Sequence, residues 1–209
     1  VCALRNLVKT ASALNRWVEV LVWQQVLLRA NAHNLAAIEL SLQTLTRALE
    51  FALFTEDMGV TSHFNYSQEQ MQNIHGQLKT LLGELDAQKN HFFDHWASRA
   101  RAALEPNQAN IHSLALKTPE ADDVAAMMLA LHRAGQTGTA LQLTNKFESD
   151  ARVAFATAFC LKGTDPDKAL TALKNARQST SVLPWSNVLA HQLYAKAGEN
   201  YSAINEMEE

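Results

Sequence analysis

The stretch MMLALHRAGQTGTALQLTNKF, residues 127–147, decides how this chain folds. An apolar helical run ends at Gly135. Ala140 follows five residues later, and an amphipathic run comes after it. The physical logic is that of a helical hairpin. Gly135 permits a tight turn because it carries no Cβ. Ala140 lets the second helix approach the first closely, whereas a larger residue there forces the pair apart. The same order recurs in FATAFCLKGTDPDKALTALKNA, residues 155–176, with Gly163 and Ala169. It recurs again in VLAHQLYAKAGENYSAINEME, residues 188–208, with Gly198 and Ala203.

Working outward, the flanking punctuation also marks helices. Thr118-Pro119-Glu120 has a cap residue, a proline for the first helical position and then an acid. Asp165-Pro166-Asp167 repeats that form, and Pro184 opens a further helix. No segment sustains period-two alternation, so no sheet is expected and the fold class is all-α. Upstream, Glu105-Pro106-Asn107 stops whatever precedes it. The chain therefore divides into residues 1–105, a long-helix bundle, and residues 106–209, a set of helical hairpins.

In the first part, Leu4, Leu7, Val8, Ala11, Leu14, Trp17, Val18, Leu21 and Leu28 recur at steps of three and four. One amphipathic helix over residues 3–30 is expected. Val22, Trp23, Val26 and Leu27 widen its apolar stripe nearly all round, so it needs more than one neighbour. A second helix runs from Leu35 through Leu53 and stops near Gly59. Ser67 and Gln70 form a capping box, and the period continues from Met71 to Leu104. Unbroken, that third helix would span roughly 57 Å at ~1.5 Å per residue. Gly76 and Gly83 are its weak points. Three such helices with short connections predict an antiparallel bundle, a candidate surface for homo-oligomerisation.

The hairpin series resembles the tetratricopeptide repeat family over roughly residues 118–209. Tyr194, Gly198 and Ala203 fall where that family places an aromatic, a turn glycine and a small contact residue. Leu131, Gly135 and Ala140 correspond in the first copy. Phe159, Gly163 and Ala169 correspond in the second, with one inserted residue. Successive seam alanines stand 29 and 34 residues apart, and only the second interval equals the family period. His191 and Met128 occupy the places of the family's first-helix glycine. The resemblance implies a stacked, solenoid-like arrangement whose groove binds a protein or peptide partner. Arg133, Arg152, Tyr194 and Lys196 are candidate contacts in that part, and Trp23 and Trp185 are the tryptophans best suited to a partner surface.

Composition narrows the function classes. Of 209 residues, 47% are hydrophobic and 19% charged, which suits a globular chain able to bury its own core. Residues 1–105 carry nine Lys/Arg against ten Asp/Glu, and residues 106–209 carry nine against eleven. Neither half has a basic footprint, so no nucleic-acid partner is expected. WVEVLVWQQVLL, residues 17–28, is too short to span a bilayer. Cys2 and Cys160 form no CxxC and read as free thiols, which suits a reducing, cytoplasmic setting. The ending NEMEE, as a third hairpin closes, leads us to expect a longer parent protein.

One string tests the opposite reading. In NHFFDHW, residues 90–96, His91 and His95 stand four apart with Asp94 between them. On a helix they would project to one side and could hold a metal. The string resembles a variant of the inverted zincin motif, with Asp94 in place of Glu. A two-histidine site needs a further ligand, and no second H-x-x-x-H or E-x-x-H occurs. At about 100° per residue, Phe92, Trp96, Leu85, Leu82, Ala100 and Ala103 share the buried stripe, and the histidines flank it. The expectation is a non-enzymatic interaction module, a scaffold or adaptor, with no catalytic residue, cofactor or resident metal. Two other classes are a helical sensory or regulatory segment of a larger protein, membrane-anchored or not, and a metal-dependent hydrolase using His91, Asp94 and His95.

Overall fold

A computed structural model describes residues 2–13, 17–30, 34–59, 67–89, 91–116, 119–179, 183–199 and 202. Every regular element among them is helical, as the periodicity predicts. The chain forms two compact units, Val1–Glu105 and Pro106–Glu209.

The first unit is organised around one helix. Helices α1 (Cys2–Ala13) and α2 (Trp17–Ala30) pack on each other, and α2 packs in turn on α3 (Leu35–Asp57). Val8, Ala11, Val20, Leu27, Ala37 and Leu40 form their shared core. On its other flank α3 meets α4 (Gln68–Ala87) and α5 (Asp94–Leu104). There Leu42, Leu45 and Leu49 interdigitate with Leu78, Leu82, Ala97 and Ala100. Covered from both flanks, α3 must also bury polar side chains. It does so by returning the hydroxyls of Ser41 and Thr44 to the carbonyls of Ala37 and Leu40 at 2.7 Å.

Local signals account for the ends of these helices. Asn34 accepts from the amides of Ala36 and Ala37 at the start of α3. At its end Gly59 adopts φ +64°, the left-handed stop. The Ser67–Gln70 capping box opens α4, with bonds of 2.8 and 3.2 Å.

Two expectations in this unit are corrected. The single helix over residues 3–30 is two helices, α1 and α2. A helix apolar nearly all round needs cover on several sides, and folding α1 back on α2 supplies it. The third helix does not run on to Leu104. It breaks after Ala87 rather than at Gly76 or Gly83, both of which lie exposed within α4. Lys89 takes φ +49°, the left-handed region, and the chain turns. The turn lets Ala97, Ala100 and Ala103 of α5 join the core around α3. A straight helix of this length would carry those residues away from it.

The second unit begins with α6 (Gln108–Ala115), which packs on α7 (Ala121–Arg133). Helix α7 pairs with α8 (Thr137–Gln142), extended by a 3₁₀ turn over Leu143–Lys146. Helix α9 (Ala151–Leu161) packs on α7 and pairs with α10 (Pro166–Ala176), against which α11 (Leu183–Ala197) lies. Fully buried Ala140, Ala156, Ala169 and Ala176 bring these helices close, with Met128, Phe159, Leu173 and Leu189 filling the space between. Asp165 caps α10 through the Lys168 amide with Pro166 in the first turn. Helix α7 starts two residues later than Pro119 predicts: Glu120 precedes it, and its amide donates to Asp123 at 3.0 Å. Thr118 and Ala203 lie outside the described residues.

Candidate functional site

The histidine string lies where α5 begins. His91 stands before the helix and is exposed, and its Nδ1 faces Asp94 Oδ1 at 3.3 Å. His95 lies in the first turn of α5 and rests against Trp96, ring centres 5.5 Å apart. Because the helix starts at Asp94, the two imidazoles do not share one helical face. Among the described residues no group of three or more His, Cys, Asp or Glu could hold a metal ion. Phe92 is also corrected: it is 83% exposed, and Phe93 takes the buried place. The turn at Lys89 shifts the register that an unbroken helix would have kept.

Phe92 is not alone on that surface. Together with Leu35, itself 50% exposed, it lines a shallow hollow completed by Gln88, Lys89 and His91. Isolated exposed apolar residues are ordinary; here two large ones share a concavity. Lys89 is the one described non-glycine residue with positive φ, so the turn that presents Phe92 is held in a backbone conformation that L side chains disfavour.

A few residues away, Trp96 centres a cluster that sequence reasoning missed. The guanidinium of Arg99 is buried and donates to Glu50 of α3 twice, Nε to Oε1 and Nη2 to Oε2, each at 2.8 Å. It lies 5.3 Å from the centre of the Trp96 ring, and Arg47 lies 5.5 Å from the same centre. The one sequence signal was Trp96 with Arg99 three positions on, which places both on the same side of a helix. Glu50 stands 49 residues away and gives no local hint.

Of the six partner-contact candidates, Trp23 lies in the first unit and Trp185, Arg133, Arg152, Tyr194 and Lys196 lie in the second. Trp23 is half-buried against the α1–α2–α3 core. In the second unit, Arg152 at the start of α9 meets Asp122 at the start of α7, 3.6 Å away. Arg133 closes α7, so the two arginines stand at opposite ends of neighbouring helices, on the order of 15 Å apart at ~1.5 Å per residue. Arg152 is also engaged by Asp150, through Nε at 3.1 Å and Nη2 at 2.9 Å. Those bonds hold the Asp150 carboxyl below its ordinary pKa, and they raise that of Arg152. Tyr194 and Lys196 lie in the last turn of α11, and Trp185 in its first.

The turn glycines divide. Gly135 and Gly198 take φ +74° and +81°. Each closes its helix with the same bond pair: Gly135 to His132 and Gln136 to Leu131, Gly198 to Ala195 and Glu199 to Tyr194. Gly163 is not left-handed. There α9 ends through Thr164 and Asp165, whose amides both donate to Leu161. Cys160 faces α7, its Sγ 3.9 Å from the Met128 carbonyl. Burial pushes its thiol up to about 12, so it stays protonated and unreactive.

No described helix is long and apolar enough to cross a membrane. Compared with known proteins, the chain matches no protein family, no curated protein and no solved structure.

Proposed function

We propose that this chain is a non-enzymatic helical interaction module, a scaffold or adaptor that binds a protein partner. The observation that carries the reading is Phe92, 83% exposed beside Leu35 in one hollow. Removing a phenyl ring this exposed from water stabilises a complex by about 2 kcal/mol, which suits Phe92 to anchoring a partner. The second unit supports the same reading. Its α7–α8 and α9–α10 pairs, small-residue contacts and paired glycine closures at Gly135 and Gly198 suit a degenerate tetratricopeptide-like stack.

The test is affinity capture with the intact chain, quantified against the Phe92→Ser variant. Phe92 lies outside the core, so the variant keeps the wild-type melting temperature. The expected result is a partner retained by the wild-type protein and reduced roughly tenfold by the variant. A partner held equally by both would detach the reading from this hollow. Stoichiometric metal together with hydrolytic turnover lost in His91→Ala would replace it with an enzyme.

A further inference from the structure

We propose that Arg47, laid against Trp96, is the receptor for a side-chain carboxylate of an acidic peptide segment. The inference deepens the interaction reading above and rests on it.

Two guanidiniums lie within 5.5 Å of the centre of one indole ring. Their circumstances differ. Arg99 is buried, and Glu50 takes up its charge through two hydrogen bonds. Arg47 is exposed on α3, and among the described residues no carboxylate comes within ion-pairing distance of it. Glu50 thus answers Arg99, whereas Arg47 has no such carboxylate among the described residues.

The position of that charge is also set in advance. Trp96 packs on the core of the first unit, and the fixed Arg99–Glu50 pair lies against it. Arg47 stacks on this stationary ring, which restricts a side chain that would otherwise sample many rotamers. A guanidinium so placed loses less entropy on binding an anion, and it is more weakly hydrated than an ammonium. Its planar fork matches a carboxylate in two-point geometry. The half-exposed indole beside it offers an apolar surface to the methylenes of a glutamate.

The occupant is selected by two neighbouring features: the guanidinium fork takes one carboxylate, and the indole beside it takes an aliphatic stem, which a glutamate side chain supplies together and a phosphate does not.

The experiment follows the Trp96 indole N–H and the Arg47 Nε–H of the full-length chain by ¹⁵N NMR. The probes are N-acetylated, C-amidated hexaglutamate, the matching hexaglutamine, and sodium phosphate at equal ionic strength. Hexaglutamate is expected to shift both signals saturably, whereas hexaglutamine and phosphate leave them within the baseline drift. In Arg47→Gln the affinity falls about tenfold or more, and Arg47→Lys, which keeps charge without the planar fork, falls between. Arg29→Gln, on the exposed side of α2, binds as wild type. Three results each overturn the proposal: no saturable shift, a shift that survives Arg47→Gln, or phosphate matching hexaglutamate. The outcome is separable from that of the capture experiment. A partner lost with Phe92→Ser but held equally by Arg47→Gln removes the carboxylate site and leaves the module.

Discussion

Each unit of this protein contains an arginine that grips a carboxylate through the same two atoms, and the two grips differ in everything but geometry. In the first unit Arg99 holds Glu50 at 2.8 Å through both Nε and Nη2. In the second, Arg152 holds Asp150 at 3.1 and 2.9 Å through the same nitrogens. The first pair joins two helices across 49 residues, and the arginine side chain is 6% exposed. The second closes a loop of two residues, and its arginine is 43% exposed. Bond length therefore says little about what a pair contributes. Burial and the span of chain it ties together say more.

That contrast runs through the two units. The first depends on long-range contacts that converge on α3. The second is a succession of neighbouring helices, each closed by local turns and small residues. The sharpest way to break the comparison is to remove one carboxylate. Glu50→Ala leaves the Arg99 guanidinium buried without its bidentate partner, and it is expected to destabilise the protein by about 3 kcal/mol. Chemical denaturation measures this. The double variant Glu50→Leu/Arg99→Met should recover most of the loss, because it strands no charge. A loss under about 1 kcal/mol for Glu50→Ala would place this pair with the exposed one.

The second unit should answer to size rather than charge. Ala169 is fully buried where α10 packs on α9. Ala169→Leu is expected to cost roughly 2 kcal/mol by forcing the hairpin apart. Measured by denaturation, the same exchange at Ala87, exposed at the end of α4, should stay within about 0.5 kcal/mol of wild type.

What the sequence discloses follows the same division. The Ser67–Gln70 capping box, the Asp165–Pro166 start and the glycine stop at Gly59 are legible because each is written within four residues. The helical class is legible for a related reason, since its period repeats in every segment. The break after Ala87 is not legible, because it is driven by α5 finding α3 rather than by a local breaker. Phe93 takes the buried place expected of Phe92 for that reason. The Trp96 cluster could not be assembled beforehand either, since it needs α3 and α5 side by side. The paired histidines show the converse: a motif clear in one dimension loses its meaning once the helix is found to start between them.

The glycines offer a finer test of local reading. Gly135 and Gly163 look equivalent in the repeats, and an added Cβ would meet nothing within 4 Å at either. Only Gly135 is left-handed. Gly135→Ala is expected to cost roughly 1 kcal/mol from backbone strain alone. Gly163→Ala should instead stabilise by about 0.5 kcal/mol, through lost freedom in the unfolded chain. Thermal melts of the two variants should therefore move in opposite directions. Shifts of the same sign would mean that the two turns are alike after all.

The smallest effect returns to the exposed pair. Asp150→Asn keeps a side-chain acceptor for the Arg152 amide at the start of α9 and removes only the charge. The expected loss at neutral pH is a few tenths of a kcal/mol, falling further in high salt. Its pH dependence identifies the source. The folded carboxyl titrates below its ordinary 3.8, chiefly through the hydrogen bond from Arg152. The unfolded chain therefore takes up the proton first as pH falls. The contribution of the pair is complete above that ordinary value and disappears as pH drops through the lower, folded one. Stability curves of wild type and Asp150→Asn should thus run a small constant distance apart from pH 5 to 7 and converge as pH falls through the lowered folded value. If the gap instead widened toward low pH, the carboxyl would be favoured in its protonated form, and the likeness between the two arginine grips would be one of geometry without charge.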